Sequence, residues 1–360
     1  MLQNKKYKTV AKPSLAELLD KQSAEGELYQ KLGDNKVLCY ACGHRCVIFD
    51  GLRGICKVRF NEGGRLFVPK GYVAALQCDP TEKKPFFHVF PGSDTLTFGM
   101  LGCDYHCGYC QNWVTSQALR DPVAGIEPMI VTAKDLITIA KRYGAKLVGS
   151  SYNEPLITAE WAADVFVIAK EQGFRTAFIS NGNATREVLE YLRPITDCYK
   201  VDLKSMQDKN YRRLGGLLST VLETISRLVE MGFWVEIVTL IVPGFNDSEG
   251  ELRETARFLS SISPDIPWHV TAFHKDYKMT DPENTTAEKL IQAAEIGYEA
   301  GLRFVYAGNL PGSVKNYENT YCPNCRKLLV ERHGYRISDY AITPEGRCPD
   351  CSSVIPGIWQ

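Results

Sequence analysis

Thirteen cysteines occur in the 360 residues, and most of them arrive in sets. Cys39, Cys42, Cys46 and Cys56 lie near the start, Cys103, Cys107 and Cys110 form a trio, and Cys322, Cys325, Cys348 and Cys351 close the chain. Cys78 and Cys198 stand alone and read as small buried apolar residues. Each set obliges its segment to fold so that the sulfurs converge, which divides the chain into an N-terminal part, a middle and a C-terminal part. The opening stretch "MLQNKKYKTVAKPSLAELLDKQ" has lysines but no apolar run behind them, so it reads as neither a signal peptide nor an anchor. No window approaches the roughly 18 uninterrupted apolar residues of a spanning helix. The expected compartment is the cytoplasm, where disulfides are rare and clustered thiols are metal ligands or redox groups.

The middle alternates two kinds of segment. "TLTFGML" (95–101), "LVGSSY" (147–152), "TAFISN" (176–181), "CYKVDLK" (198–204), "WVEIVTLIV" (234–242) and "WHVTAF" (268–273) are short, apolar runs of strand character, and "RFVYAG" (303–308) offers a seventh. Between them "TAKDLITIAKRYG", "EWAADVFVIAKEQG" and "GELRETARFLSSI" repeat apolar residues at helical spacing. Strands alternating with helices imply an α/β fold with a parallel sheet, and six or seven such units suit an open or partial barrel better than a flat doubly wound sheet. Asn153, Glu154, Ser180, Asn181, Asp202, Lys204 and His274 all fall where predicted strands end. In barrels of parallel strands, chemistry sits at those carboxyl ends. The expected division is 1–90, a Cys-rich region; 91–312, the barrel; and 313–360, a metal-bound ribbon.

The trio is spaced C-x3-C-x2-C in "MLGCDYHCGYCQNW". An iron–sulfur cube takes four thiolates, so three on one loop can hold three irons and leave the fourth open to a small molecule. On spacing alone, the alternative is a three-thiolate zinc site completed by His106 or a distant residue. The trio, with an aromatic residue before its last Cys, resembles the signature of the radical S-adenosylmethionine (SAM) superfamily. "SYNEP" resembles that family's Gly-Gly-Glu-Pro element, with Asn153 and Glu154 standing where backbone and carboxylate hold the methionyl amine. "VDLK", "IVPGFNDS" and "TAFHKDYKM" resemble segments of the activases of glycyl-radical enzymes. This resemblance covers about residues 95 to 310. The chain departs from the activase pattern in "SYNEP" itself and in Ile179, where activases often carry Asp.

The resemblance implies a partial (β/α)6-type barrel, a 4Fe-4S cluster on Cys103, Cys107 and Cys110, and SAM as the ligand of the open iron. It implies SAM contacts from Tyr109, through its backbone beside the adenine, and from Asn153, Glu154, Ser180 and Asn181. Asp202 and Lys204 would serve the ribose hydroxyls and the methionine carboxylate, with His274 close by. The activity implied is reductive cleavage of SAM to a 5′-deoxyadenosyl radical that takes hydrogen from a substrate, either a small metabolite or a residue of a partner protein. Flavodoxin or ferredoxin would supply the electron. A non-catalytic electron carrier or scaffold with a closed cluster is the competing class.

The flanks add two further metal sets. "CPNC" and "CPDC" space Cys322, Cys325, Cys348 and Cys351 as a zinc ribbon, and a segment that short cannot bury enough core to fold without a staple. Cys39, Cys42, Cys46 and Cys56 suit either zinc or a second iron–sulfur cluster, and His44 lies within that loop. "DPTEKKPFFHVFPGS" together with "AGNLPG" and the ribbon sequence resembles the radical SAM component of the AmmeMemoRadiSam system, which implies Memo-type and AMMECR-type partners. Lys plus Arg equals Asp plus Glu at 42 each, so no broad basic field exists for nucleic acid.

Overall fold

The apolar runs of the middle region pair as one sheet of eight strands in the structure, a computed structural model that describes residues 14–359. The lysine-bearing start, residues 1–13, read above as neither signal peptide nor anchor, lies outside the described residues. The strands are β1 (Ala75–Pro80), β2 (Asp94–Gly99), β3 (Leu147–Ser150), β4 (Arg175–Ser180), β5 (Cys198–Asp202), β6 (Trp234–Ile241), β7 (Trp268–Ala272) and β8 (Val305–Gly308). They lie in chain order across the sheet, and β2 through β8 are all parallel. A doubly wound sheet reverses its order at a switch point, and this one does not. Its two edge strands pair only with their inner neighbours, so the curve stays open: a partial barrel.

The seventh parallel strand is present, and an eighth strand was not expected. β1 runs antiparallel to β2, from Ala75 opposite Gly99 to Pro80 opposite Asp94. It lies ahead of the alternating stretch, and as an edge strand it carries no clear apolar alternation for the eye to find. Cys78 sits on it half-buried, whereas Cys198 in the inner strand β5 is wholly buried.

Return helices cover the sheet, and local chemistry fixes where they begin. In α1 (Ala133–Arg142) the Thr132 side chain accepts from the Asp135 backbone N–H while the Asp135 carboxylate takes the Thr132 N–H. Its buried residues, Ala133, Leu136, Ile137 and Ala140, recur at one helical face. Thr185, Ser248 and Thr286 cap three later helices, each side chain accepting the backbone N–H three residues on. Among the described residues no helix is long and apolar enough to cross a membrane.

The terminal segments pack against the barrel as separate small sheets. Near the start, Ser23–Glu25, Phe60–Glu62 and Arg65–Pro69 form one, and Tyr29–Lys31, Val37–Cys39 and Val47–Ile48 another. Arg59 ties this region to the first turn of α2 (Ala159–Glu171): its Nη1 and Nη2 donate to Glu160 at 2.8 and 2.6 Å, and both side chains are buried. Glu160 also accepts the N–H groups of Glu27 and Leu28. At the other end, Thr320–Tyr321, Leu328–His333 and Arg336–Tyr340 make an antiparallel ribbon over a small core that includes Phe87, Phe304 and Leu329.

Removing one member of a buried ion pair strands the other, at about 3–5 kcal/mol, whereas replacing both with apolar groups can be nearly neutral. Arg59→Met should therefore lower stability by about that amount in denaturant unfolding. Arg59→Met with Glu160→Met should recover much of it; equal loss in the single and double variants would show that the pair is not the anchor.

Candidate functional site

The carboxyl end of β2 leads directly into the cysteine loop. Gly102 has φ +96°, and a Cβ there would approach Val58 Cγ1 to 2.8 Å and the Cys56 carbonyl oxygen to 3.3 Å, so the turn needs glycine. The loop carries Cys103, Cys107 and Cys110 to the wall of a chamber of 390 Å³ and ends in a short helix, Trp113–Ser116. Burial pushes all three thiols up, Cys103 well above the usual range and Cys107 to about 12, with Lys204 pulling the other way on Cys107. Bare thiolates are thus poorly supported here, and the positive charge of bound metal is what would ionise them. His106 is exposed, packs beside Gly215 and does not line the chamber.

The neighbouring strand ends supply two carboxylates and their partners. Glu154 is buried after β3; its Oε1 accepts from Ser180 Oγ at 2.7 Å and Leu156 N at 3.1 Å, and its Oε2 from Asn181 N at 2.7 Å. Burial and the nearby Asp104 push its carboxyl up to about 8, against the pull of these hydrogen bonds. Asn153 spends its side chain on backbone, accepting from Met100 N at 3.0 Å and donating to the Glu154 carbonyl at 3.1 Å. At the end of β5, Asp202 pairs with Lys200 and, at 3.4 Å, with Lys204. Burial opposes its charge, but the two lysines prevail and hold it below the usual carboxylate range.

Cys103, Cys107, Tyr109, Cys110, Asn153, Glu154, Ser180, Asn181, Asp202 and Lys204 all line this one chamber. His274 does not. It is exposed, lines an adjoining chamber and meets Gln111, the two side-chain nitrogens being 3.0 Å apart. Tyr109 is buried edge-to-face against Phe245, and Trp113 stacks on Tyr277.

Sequence reasoning passed over Asp104, which lies inside the trio itself. Its buried carboxylate accepts from Asn181 Nδ2 and Asn183 Nδ2, both at 2.8 Å, and so joins the cysteine loop to the end of β4. A carboxylate set between two cysteines of the trio was the one available signal. Lys200 was missed for want of any motif.

Asp104 also faces the N-terminal cysteines. His44 Nε2 stands 3.9 Å from it, Gly43 N donates to the Asn183 carbonyl at 2.7 Å, and burial together with Asp104 raises the Cys42 thiol well above its usual range. Cys39, Cys42 and Cys56 are buried, and the Cys39 N–H reaches the Cys46 carbonyl at 2.9 Å. The C-terminal set is drawn tighter. The ligand atoms of Cys322, Cys325, Cys348 and Cys351 all lie within 4.8 Å of one another, with Cys322–Cys351 at 3.5 Å and Cys325–Cys348 at 3.6 Å. Such spacings fit four sulfurs around a single tetrahedral ion.

Residues 98–259 match the model of the Radical SAM superfamily. An uncharacterized protein of Methanocaldococcus jannaschii is 37% identical over 334 residues, spanning 92% of this chain and 98% of that relative. The pyruvate formate-lyase-activating enzyme of Clostridium pasteurianum is 29% identical over 213 residues, spanning 55% of this chain and 87% of the relative. Among solved structures, a domain of pyruvate-formate lyase-activating enzyme from Bacteroides vulgatus is 25% identical with a TM-score of 0.40, covering 45% of this chain and 98% of that domain.

Proposed function

This chain belongs to the radical SAM superfamily, and we propose on that premise that it is an enzyme whose Cys103, Cys107 and Cys110 hold a 4Fe-4S cluster with SAM on the fourth iron. One observation carries the reading: three thiols from one loop share a chamber with a buried carboxylate and a Lys–Asp–Lys row, and among the described residues no fourth cysteine lines it. That donor set suits an open iron better than a closed electron-carrying cluster. The bound pair supplies a 5′-deoxyadenosyl radical for hydrogen abstraction, chemistry that belongs to the cofactors. The protein's part is to hold and enclose them. Glu154, already fixed by Ser180 and Asn181, would meet the methionyl ammonium; Asp202 would meet the ribose hydroxyls; Lys204 would meet the methionine carboxylate.

The remaining assignments follow the same reading. The chain divides into a Cys-rich region (1–90), the barrel (91–312) and a zinc ribbon (313–360), with β1 (Ala75–Pro80) of the first region joined to the barrel's sheet. The N-terminal cysteines hold zinc or a second cluster. The flanking-segment resemblance makes Memo-type and AMMECR-type proteins candidate partners, with flavodoxin or ferredoxin as donor. All thirteen cysteines are free, which suits the reducing cytoplasm.

Replacing Cys103, Cys107 or Cys110 with Ala should abolish 5′-deoxyadenosine formation by the anaerobically reconstituted protein, because each thiolate holds one iron. Near-normal SAM cleavage in any one of the three would overturn the assignment.

Glu154→Gln removes a charge-assisted hydrogen bond but no iron ligand. Iron content and the absorption of the oxidised cluster should persist, while SAM affinity falls about ten- to a hundredfold in a spectroscopic titration. Unchanged affinity would leave Glu154 as a purely structural carboxylate.

For the ribbon, Cys322→Ser with Cys325→Ser should lose zinc and keep iron in metal analysis. Loss of iron with zinc retained would reverse the two metals.

A further inference from the structure

Beside the cluster chamber lies a second, of 370 Å³, within the range of small-molecule sites. The two share Lys83, Pro85, Gln111, Thr271, Asn309 and Tyr335, so each opens into the other. Their origins differ. The trio, Glu154, Ser180 and Asp202 fall within the stretch that matches the superfamily, whereas the second chamber takes only Gln111 from that stretch. Its walls come from segments ahead of residue 98 and beyond residue 259. Parts particular to this chain thus adjoin the shared chemistry, where a substrate-specific surface belongs.

The ribbon closes this chamber. Its turn between Leu328–His333 and Arg336–Tyr340 brings Gly334 and Tyr335 to the wall, and Glu318 holds the turn by accepting from Gly334 N at 2.8 Å and Gly312 N at 2.9 Å. Two other polar groups at the wall, His269 and Tyr306, are also committed. His269 Nε2 meets Glu236 at 2.7 Å, and the Tyr306 hydroxyl meets His88 at 2.6 Å and Thr320 at 2.8 Å.

Glu82 is different. Its side chain is fully buried, Oε1 accepts from Gly92 N at 2.9 Å, and Oε2 has no partner among the described residues. Arg332 comes no closer to it than 4.0 Å, and its Nε is likewise without a partner. The carboxylates of Glu82 and Glu318 line this wall and Glu236 stands behind His269, against the buried guanidinium of Arg332 and the exposed Lys83, which lines the wall and pairs with Asp79 at 3.1 Å. An unpaired buried acceptor in such surroundings is costly unless a donor arrives. Phe87, Tyr306 and Tyr335 give the chamber aromatic surface for the body of a ligand; Arg332 already stands over the Phe87 and Tyr306 rings, which leaves the exposed Tyr335 as the ring available to a cation.

We infer that this second chamber is the substrate site and that it takes a small molecule bearing an ammonium group, held by Glu82 and covered by the ribbon turn. This rests on the reading of the adjoining chamber as the SAM site, and it favours a metabolite over a residue of a partner protein.

The test is calorimetric titration of the metal-loaded full chain, without SAM or reductant, with tyramine, putrescine and agmatine. Their anionic counterparts, 4-hydroxyphenylacetate and succinate, serve as controls. At least one amine should bind, both acids should not, and Glu82→Gln should weaken the amine by about tenfold or more. Because Glu82 is buried, a second variant on the exposed turn, Tyr335→Lys, guards against misfolding and should weaken amine binding severalfold by placing a positive charge at the mouth. Binding of none of the amines, preference for the acids, or amine affinity unchanged in both variants would overturn the inference. Deoxyadenosine formation is measured separately. Amine binding without it would fail the SAM reading and keep the chamber, and the reverse would fail the chamber alone.

Discussion

Two buried carboxylates at the open end of the sheet, Asp104 and Glu154, govern the site. Neither can be hidden from water without donors, and both recruit them from the end of β4, a strand other than their own. Asp104 takes the side-chain amides of Asn181 and Asn183; Glu154 takes Ser180 Oγ and the Asn181 N–H. The cysteine loop after β2, the turn after β3 and the end of β4 are therefore fixed to one another through Asn181. The three thiols inherit their placement from that lattice, because a loop of this length has no regular structure of its own to hold it.

The same carboxylates explain why the N-terminal region is part of the site's surroundings. Asp104 lies between the trio and the loop of His44, and Gly43 donates into the Asn183 turn. Any charge held by Cys39, Cys42, Cys46 and Cys56 would act across a short, dry distance on whatever the trio holds. Arg59 and Glu160 press that region onto the barrel from the other side, and their mutual bidentate geometry offsets the cost of burying both charges. The C-terminal ribbon plays the matching part at the opposite flank, since its turn walls the second chamber and Glu318 fixes the turn.

Much of this was legible in the residues. Short apolar runs alternating with helical ones name a parallel α/β sheet, because strands covered on both faces read as near-continuous apolar segments. Tight cysteine spacing names the places where sulfurs converge, since thiols a few residues apart on one loop need no long-range fold to meet. Glu154, Ser180, Asn181, Asp202 and Lys204 could be singled out because each falls where a predicted strand ends, and the carboxyl ends of parallel strands face one way. The antiparallel β1 was not legible, as an edge strand buried on neither face carries little pattern. Arg59, Glu160, Asp104 and Glu82 were not legible either: a lone charged residue looks the same in sequence whether it is solvated or buried.

The sequence by itself determined the order and kind of the elements, the three cysteine sets and the family, all of which rest on local spacing. Tertiary structure alone decided which side chains meet across long separations. It put His274 beside Gln111 instead of in the chamber of the cysteine trio, joined Asp104 to Asn183, and set Glu82 against a cavity roofed by residues some 250 positions later. Burial and the satisfaction of buried charge are properties of the packed chain, so no local pattern announces them.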